Sequence, residues 1–135
     1  MDKPKHAAID ELIAAFYAAF DNRGAQLPTT AEVRRMFLPN GRVTRVSPDG
    51  VESWTVDEFI APRLTMLKNG TLVDFHEWEI EAETTVLGNI ANRQSRYGKA
   101  GTLHGAPYCG EGRKFVQLCR VGDHWQIISV LWEDL

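Results

Sequence analysis

The 135-residue chain carries only two cysteines, Cys109 and Cys119, and neither belongs to a paired metal motif. That excludes a disulfide framework and a cysteine-built metal site, and both thiols are expected to be reduced. Charge of one sign is equally scarce: 15 Lys and Arg against 18 Asp and Glu leave a formal -3, with the cations dispersed. No basic stripe exists to neutralise a row of phosphates or hold an anionic membrane, so neither nucleic acid nor membrane is expected as a partner. The first apolar segment is interrupted by Asp10, Glu11 and Asp21, which no signal peptide or membrane span would carry. A cytoplasmic protein is the expectation. Internal repeats and low-complexity runs are missing too, and the length points to one domain, 1-135, with room for a real core. Lys99 to Arg113 is rich in Gly and lacks periodicity, so it reads as a mobile loop.

What is present is strand pattern. From Asp74 to Val86 the side chains alternate, with Asp74, His76, Trp78, Ile80, Ala82, Thr84 and Val86 on one face and Phe75, Glu77, Glu79, Glu81 and Glu83 on the other. The acidic face reads as wet and the other as covered. Gly88-Asn89 is a two-residue hairpin signal that pairs Leu87 with Ile90. Carried back, this register sets Glu81 opposite Arg96, Thr84 opposite Arg93, Ala82 opposite Ser95, Ile80 opposite Tyr97 and Glu79 opposite Gly98. Gly122-Asp123 marks a second hairpin, with Leu118 expected opposite Ile127, Val116 opposite Ser129 and Phe115 opposite Val130. Arg42 to Ser47 and Val51 to Trp54 form a shorter hairpin around Pro48-Asp49-Gly50, suited to a sheet edge.

Three helices are expected. Ile9, Leu12, Ile13, Phe16, Tyr17 and Phe20 recur at helical spacing, with Pro4 in the first turn and Gly24 at the end. Thr29-Thr30-Ala31-Glu32 has capping-box spacing ahead of a short helix carrying Val33, Met36 and Phe37. Thr55 and Glu58 cap a third, with Val56, Phe59, Ile60, Leu64 and Leu67 in one stripe and Pro62 inside it. Three helices cannot cover both faces of a sheet that carries Ile, Val, Leu and Trp on each side. The second face therefore implies a homodimer, with Gln117, Cys119, Gln126, Ile128, Val130 and Trp132 near the contact.

Gly88-Asn89-Ile90-Ala91, Ser95-Arg96-Tyr97 and the run Trp125-Gln126-Ile127-Ile128-Ser129-Val130-Leu131-Trp132-Glu133 resemble the nuclear transport factor 2-like superfamily. They are most similar to its bacterial polyketide-cyclase-like (SnoaL-like) members. The resemblance implies an α+β, cone-shaped, cystatin-like fold, with three N-terminal helices packed on a curved, mostly antiparallel sheet. It also implies a cavity for a small, largely apolar molecule, in a superfamily that includes ketosteroid isomerases and scytalone dehydratase. The same fold hosts inert binding and assembly modules, so it does not decide between them.

The residues themselves point to one end of the covered face: His76, Trp78, Arg93, Ser95 and Tyr97, joined by Tyr17, Trp54 and Ser129. His76 and Tyr97 are the candidates for proton transfer. Each has a plain alternative as a hydrogen-bonded wall residue. Arg93 is expected on the covered face, where a guanidinium must be paired, either with Asp74 or Glu133 or with a ligand carboxylate or phenolate. No spacing gathers the histidines and cysteines, and neither a metal nor a cofactor is expected. The function expected is a small-molecule pocket protein for an apolar or aromatic ligand with an acidic or carbonyl oxygen. Lyase, isomerase or cyclase activity stands open beside a non-catalytic dimeric module with a filled cavity.

Overall fold

Residues 6–135 are described by a computed structural model, so the expectation for Pro4 lies outside the described residues. The first helix, α1 (Ala7–Ala18), buries Ile9, Ile13, Phe16 and Tyr17 on one stripe. Asn22 then ties three segments together. Its side-chain amide donates to the carbonyls of Leu67 (3.0 Å) and Leu72 (2.8 Å), and its side-chain oxygen accepts from the Phe75 N–H at 2.7 Å. A buried amide with every arm paired fixes geometry without leaving an unmet polar group.

The expected second helix is smaller than its spacing suggests. Thr29 makes no side-chain cap, and the segment is a 3-10 turn at Thr30–Glu32 followed by a single helical turn, α2 (Val33–Met36). The edge hairpin forms as expected, β1 (Phe37–Ser47) with β2 (Gly50–Thr55). Thr55 then closes the capping box of α3 (Val56–Lys68): its hydroxyl accepts from the Glu58 N–H at 3.2 Å, while the Glu58 carboxylate accepts from the Thr55 N–H at 2.9 Å. Pro62 stands inside this helix.

Four long strands complete the chain: β3 (Leu72–Leu87), β4 (Ile90–Leu103), β5 (Ala106–Val121) and β6 (His124–Asp134). The sheet order is β2-β1-β6-β5-β4-β3, antiparallel throughout except where β1 runs parallel to β6. Lys99 to Arg113 is no loop. The strands β4 and β5 continue through it to a tight turn at His104-Gly105, both with positive φ, and Leu103 pairs with Ala106. Its glycines reflect packing as well as turning: a Cβ on Gly112 would lie 2.5 Å from the Tyr97 hydroxyl oxygen.

Near both hairpin turns the register is the expected one, with Leu87 opposite Ile90, Thr84 opposite Arg93, Glu81 opposite Arg96 and Leu118 opposite Ile127. Bulges then change it, two in β3 (one between Val73 and His76) and one in β6. In β3 an extra residue, Ile80, separates Glu79, paired with Tyr97, from Glu81, paired with Arg96. Because side chains alternate with period two, one inserted residue exchanges the faces beyond it. Phe75, Glu77 and Glu79 therefore share the helix-covered face with Arg93, Ser95 and Tyr97, while His76 and Trp78 lie on the outer face. In β6 the extra residue is Ile128, so Ser129 pairs with Gln117 and Val130 with Val116. This corrects the expected subunit face: Val130 and Trp132 are buried under the helices, and Ser129 is outside.

The core lies between the helices and the concave face, where Ile9, Ile13, Val33, Val43, Leu118, Ile127 and Val130 are almost wholly buried. Each such side chain contributes about 1.5–3 kcal/mol relative to exposure. Among the described residues no helix packs on the outer face. Trp78, Ile80, Phe115 and Leu131 are between 39% and 47% exposed there.

Candidate functional site

A cavity of about 260 Å³ opens between the concave sheet and the helices α1 and α3. Its apolar walls come from Phe16 and Phe20 at the end of the first helical segment, Phe59, Met66 and Leu67 of α3, and Leu72, Phe75 and Trp132 of the sheet. The remaining lining is polar: Arg45, Arg63, Glu77, Tyr97, Lys99, Tyr108, Lys114 and Asp134. Four cations face two carboxylates.

The carboxylates account for three of those cations. Asp134 accepts from the Tyr97 hydroxyl at 2.6 Å and from Lys99 at 3.1 Å, and its other oxygen is 3.3 Å from Arg45. Lys99 also donates to the Tyr108 hydroxyl at 3.0 Å. Lys114 lies 3.2 Å from Glu77 and 4.2 Å from the Tyr97 ring centroid. Burial pushes the Tyr97 hydroxyl well above the usual phenol range, and donation to Asp134 adds to it. Burial works against the Asp134 carboxylate, but the hydrogen bonds from Tyr97 and Lys99 outweigh it and hold the group below its ordinary value.

Arg63 is different. Its guanidinium carbon lies 3.9 Å from the Phe59 ring centroid, 5.5 Å from Trp54 and 5.6 Å from Trp132. One N–H group donates to the Phe59 carbonyl at 3.0 Å. Among the described residues no carboxylate comes within salt-bridge distance of it. Burial pushes it down to about 10, far enough to register the lost water and not far enough to discharge it at neutral pH. An aromatic cage satisfies the faces of the guanidinium and leaves its N–H edge for a planar anion.

Of the residues singled out by sequence, Tyr97 alone lines this cavity. Arg93, Ser95 and Tyr17 lie on the same face of the sheet but close on one another. Arg93 is 5% exposed and bonds Glu79, Asp10 (2.6 Å) and Thr84 (3.0 Å). Ser95 donates to Glu79 at 2.6 Å, so at 2.8 Å it is the Tyr17 hydroxyl that donates to Ser95. The partners expected for Arg93 are engaged elsewhere: Asp74 accepts from the Gly24 N–H at 3.0 Å, and Glu133 faces Arg113. Trp54 stacks on Trp132 with ring centroids 5.8 Å apart and stands behind the wall. His76 and Trp78 stack on each other at 4.7 Å on the outer face, above Gly98, and Ser129 is on that face too. No cluster of three metal-ligating side chains occurs among the described residues.

Sequence reasoning missed Arg63, Lys114, Lys99, Glu77 and Asp134. A signal for the first existed: Phe59, Arg63 and Leu67 are spaced by four, so Arg63 falls in the middle of an apolar helical stripe.

No family model matches the chain, and no curated protein matches it by sequence. Solved structures do match it. A nuclear transport factor 2-like superfamily protein from Salmonella enterica superposes with a TM-score of 0.74 at 16% identity, over 93% of this chain and 87% of its own. An uncharacterised protein with a cystatin-like fold from Caulobacter vibrioides gives 0.72 at 18%, covering 96% and 88%. A ketosteroid isomerase-like protein from Shewanella frigidimarina gives 0.67 at 22%, covering 95% of each chain. At these identities the likeness speaks for the fold.

Proposed function

For a chain with the cystatin-like, nuclear transport factor 2-like fold, we propose that the concave cavity binds a small organic monocarboxylate, its carboxylate on Arg63 and its apolar body against Phe16, Phe59 and Trp132. The observation that carries this reading is the caged guanidinium with no carboxylate in salt-bridge reach among the described residues. The volume suits one ring or a short branched chain, since about 260 Å³ lies just under the usual range of about 300–1,000 Å³ for ligand cavities. Open space at this point also favours a pocket over an assembly module whose cavity is filled. The reading moves the anion-binding role from Arg93, which is internally paired, to Arg63.

Titration calorimetry with benzoate and phenylacetate, each against its amide, is the test. The acids are expected to bind and the amides to bind weakly, with Arg63→Met losing roughly tenfold to a hundredfold in acid affinity. Equal binding of acid and amide, or an Arg63→Met variant that keeps full acid affinity, would overturn it.

A second observation supports a dimer. Phe115, Leu131, Trp78 and Ile80 leave an apolar outer face, edged by both Glu81 and Glu111 and by Arg96 and Arg113, which suits pairing with a second copy about a two-fold axis. Cys109 and Cys119 are unpaired, in keeping with a reducing compartment, and no described helix is long and apolar enough to cross a membrane.

A further inference from the structure

Carboxylate binding at Arg63 leaves one buried group of the cavity without a task. Lys114 has a side chain only 8% exposed, with its nitrogen 4.2 Å and 5.0 Å from the ring centroids of Tyr97 and Tyr17. Among the described residues its one charged contact is a single oxygen of Glu77 at 3.2 Å. On the outer face the pair of Arg96 with Glu111 sits in solvent. The pair of Lys114 with Glu77 sits on the cavity wall, among four aromatic rings. Lys114 and Arg63 also flank the same indole, at 5.8 Å and 5.6 Å from the Trp132 centroid. Their separation therefore cannot exceed the sum of those distances, a gap that one aromatic ring with groups at opposite ends can bridge.

Building on the carboxylate reading above, we propose that Lys114 is the nucleophile of the cavity and forms an imine with an oxo-acid whose carboxylate rests on Arg63. A lysine in a desolvated, aromatic-walled site beside other cations is the setting in which amines serve as carbonyl nucleophiles. Glu77 takes a proton from the ammonium. The freed nitrogen pair attacks the carbonyl carbon as the C=O π pair moves to oxygen, and the alkoxide takes a proton from the new C–N nitrogen. Glu77 then returns its proton to the hydroxyl, which leaves as water while the C=N bond forms. The result is a protonated imine, one water and an ionised Glu77. The iminium draws electrons from the neighbouring carbon, as lyase and isomerase chemistry on carbonyl compounds requires.

Reductive trapping decides the matter. The wild-type chain is incubated with 4-carboxybenzaldehyde and borohydride, then digested and mapped by mass spectrometry. The expected product is a mass gain equal to the aldehyde less one oxygen atom on Lys114, in clear excess over the four other lysines, suppressed by excess benzoate and reduced at least tenfold in Arg63→Met. In parallel, calorimetry with 4-(hydroxymethyl)benzoate, which has the carboxylate but no carbonyl, reports binding alone. If that alcohol binds through Arg63 while the aldehyde labels Lys99 or only surface lysines, the imine proposal falls and the carboxylate reading stands. If the alcohol fails to bind and Lys114 is unlabelled, both fall. Lys114→Met adds a control where it folds, but the mapping on wild-type protein does not depend on it.

Discussion

Arg93 and Glu79 meet in a two-pronged ion pair beneath α1, with the Arg93 Nε 3.1 Å from one Glu79 oxygen and its Nη2 on the other. Such a pair binds nothing from outside; it is a brace. Removing the cation would strand a partly buried carboxylate. Arg93→Leu is therefore expected to destabilise by about 3 kcal/mol, the range for breaking a buried pair, with Asp10 adding little because it is half exposed. The double variant Arg93→Leu/Glu79→Leu should recover part of the loss. Urea unfolding measures both, and an Arg93→Leu protein as stable as wild type would mean that the brace holds nothing.

Gly112 faces the Tyr97 hydroxyl across β4 and β5. A methyl group there would lie 2.5 Å from that oxygen and 2.7 Å from the Glu133 carbonyl, and the carbonyl belongs to backbone that cannot swing away. Gly112→Ala should cost about 1–3 kcal/mol and break the hydrogen bond from Tyr97 to Asp134. A thermal melt reports the first effect, and ultraviolet titration of the tyrosines the second. An unchanged melt would show that the strands yield more readily than these distances imply.

The cavity's response to pH has two limbs. Asp134 has a folded value below its ordinary 3.8, so its contribution to stability is present above that value and disappears as pH falls through the depressed one. Asp134→Asn should flatten the acid side of the stability curve below about pH 4. On the alkaline side Arg63, pushed down to about 10, keeps its charge through neutral pH and loses it as pH climbs through that value. Benzoate affinity should be level between about pH 6 and 9 and fall beyond about 10. A fall beginning near pH 7 would assign the anion to some other group.

The outer face makes its own prediction. Light scattering at micromolar concentration should return twice the mass of the chain, and Phe115→Asp with Leu131→Asp should return the monomer with its circular dichroism intact. Both side chains point away from the helices, so charging them leaves the core alone. A monomeric wild type would end this idea.

How far the sequence could be read depends on distance from a turn. Gly88-Asn89 and Gly122-Asp123 each force a two-residue connection, and pairing follows from them for several residues in both directions. Beyond that, register rests on unbroken alternation, and Trp78-Glu79-Ile80-Glu81-Ala82 alternates without a fault straight through the place where the strand bulges. Nothing local marks Ile80 as the extra residue; a bulge answers to the strand's place in the folded sheet, a tertiary demand. The bulge in β6 left more trace, since Ile127-Ile128 breaks the polar alternation of that strand. The site was less legible than the fold because its charged groups are scattered through α3, β1, β3, β4, β5 and β6, and only the folded sheet brings them together. Arg93, the most conspicuous cation by register, turned out to be held by two carboxylates from other elements.

The Ile80 bulge means that β3 carries two alternative inner surfaces in one stretch of chain. With Ile80 bulged out, Phe75, Glu77 and Glu79 look inward; were Ile80 instead paired with Tyr97, the strand beyond would present His76 and Trp78 in their place, and the acidic side would become the exterior. Drawing Ile80 into the ladder would thus rewrite the chemistry of the pocket wholesale, exchanging carboxylates for an imidazole and an indole, whereas deleting it removes the extra residue and leaves Glu79 opposite Tyr97. Gain or loss of the bulge at constant length is accordingly a route by which descendants of such a scaffold could acquire a new reaction in one step. Deleting Ile80 puts the bulge to trial: Glu79 should stay opposite Tyr97 and the Trp78 fluorescence should stay at its half-exposed wavelength, whereas a shift to shorter wavelength in a folded variant would show that the faces had exchanged.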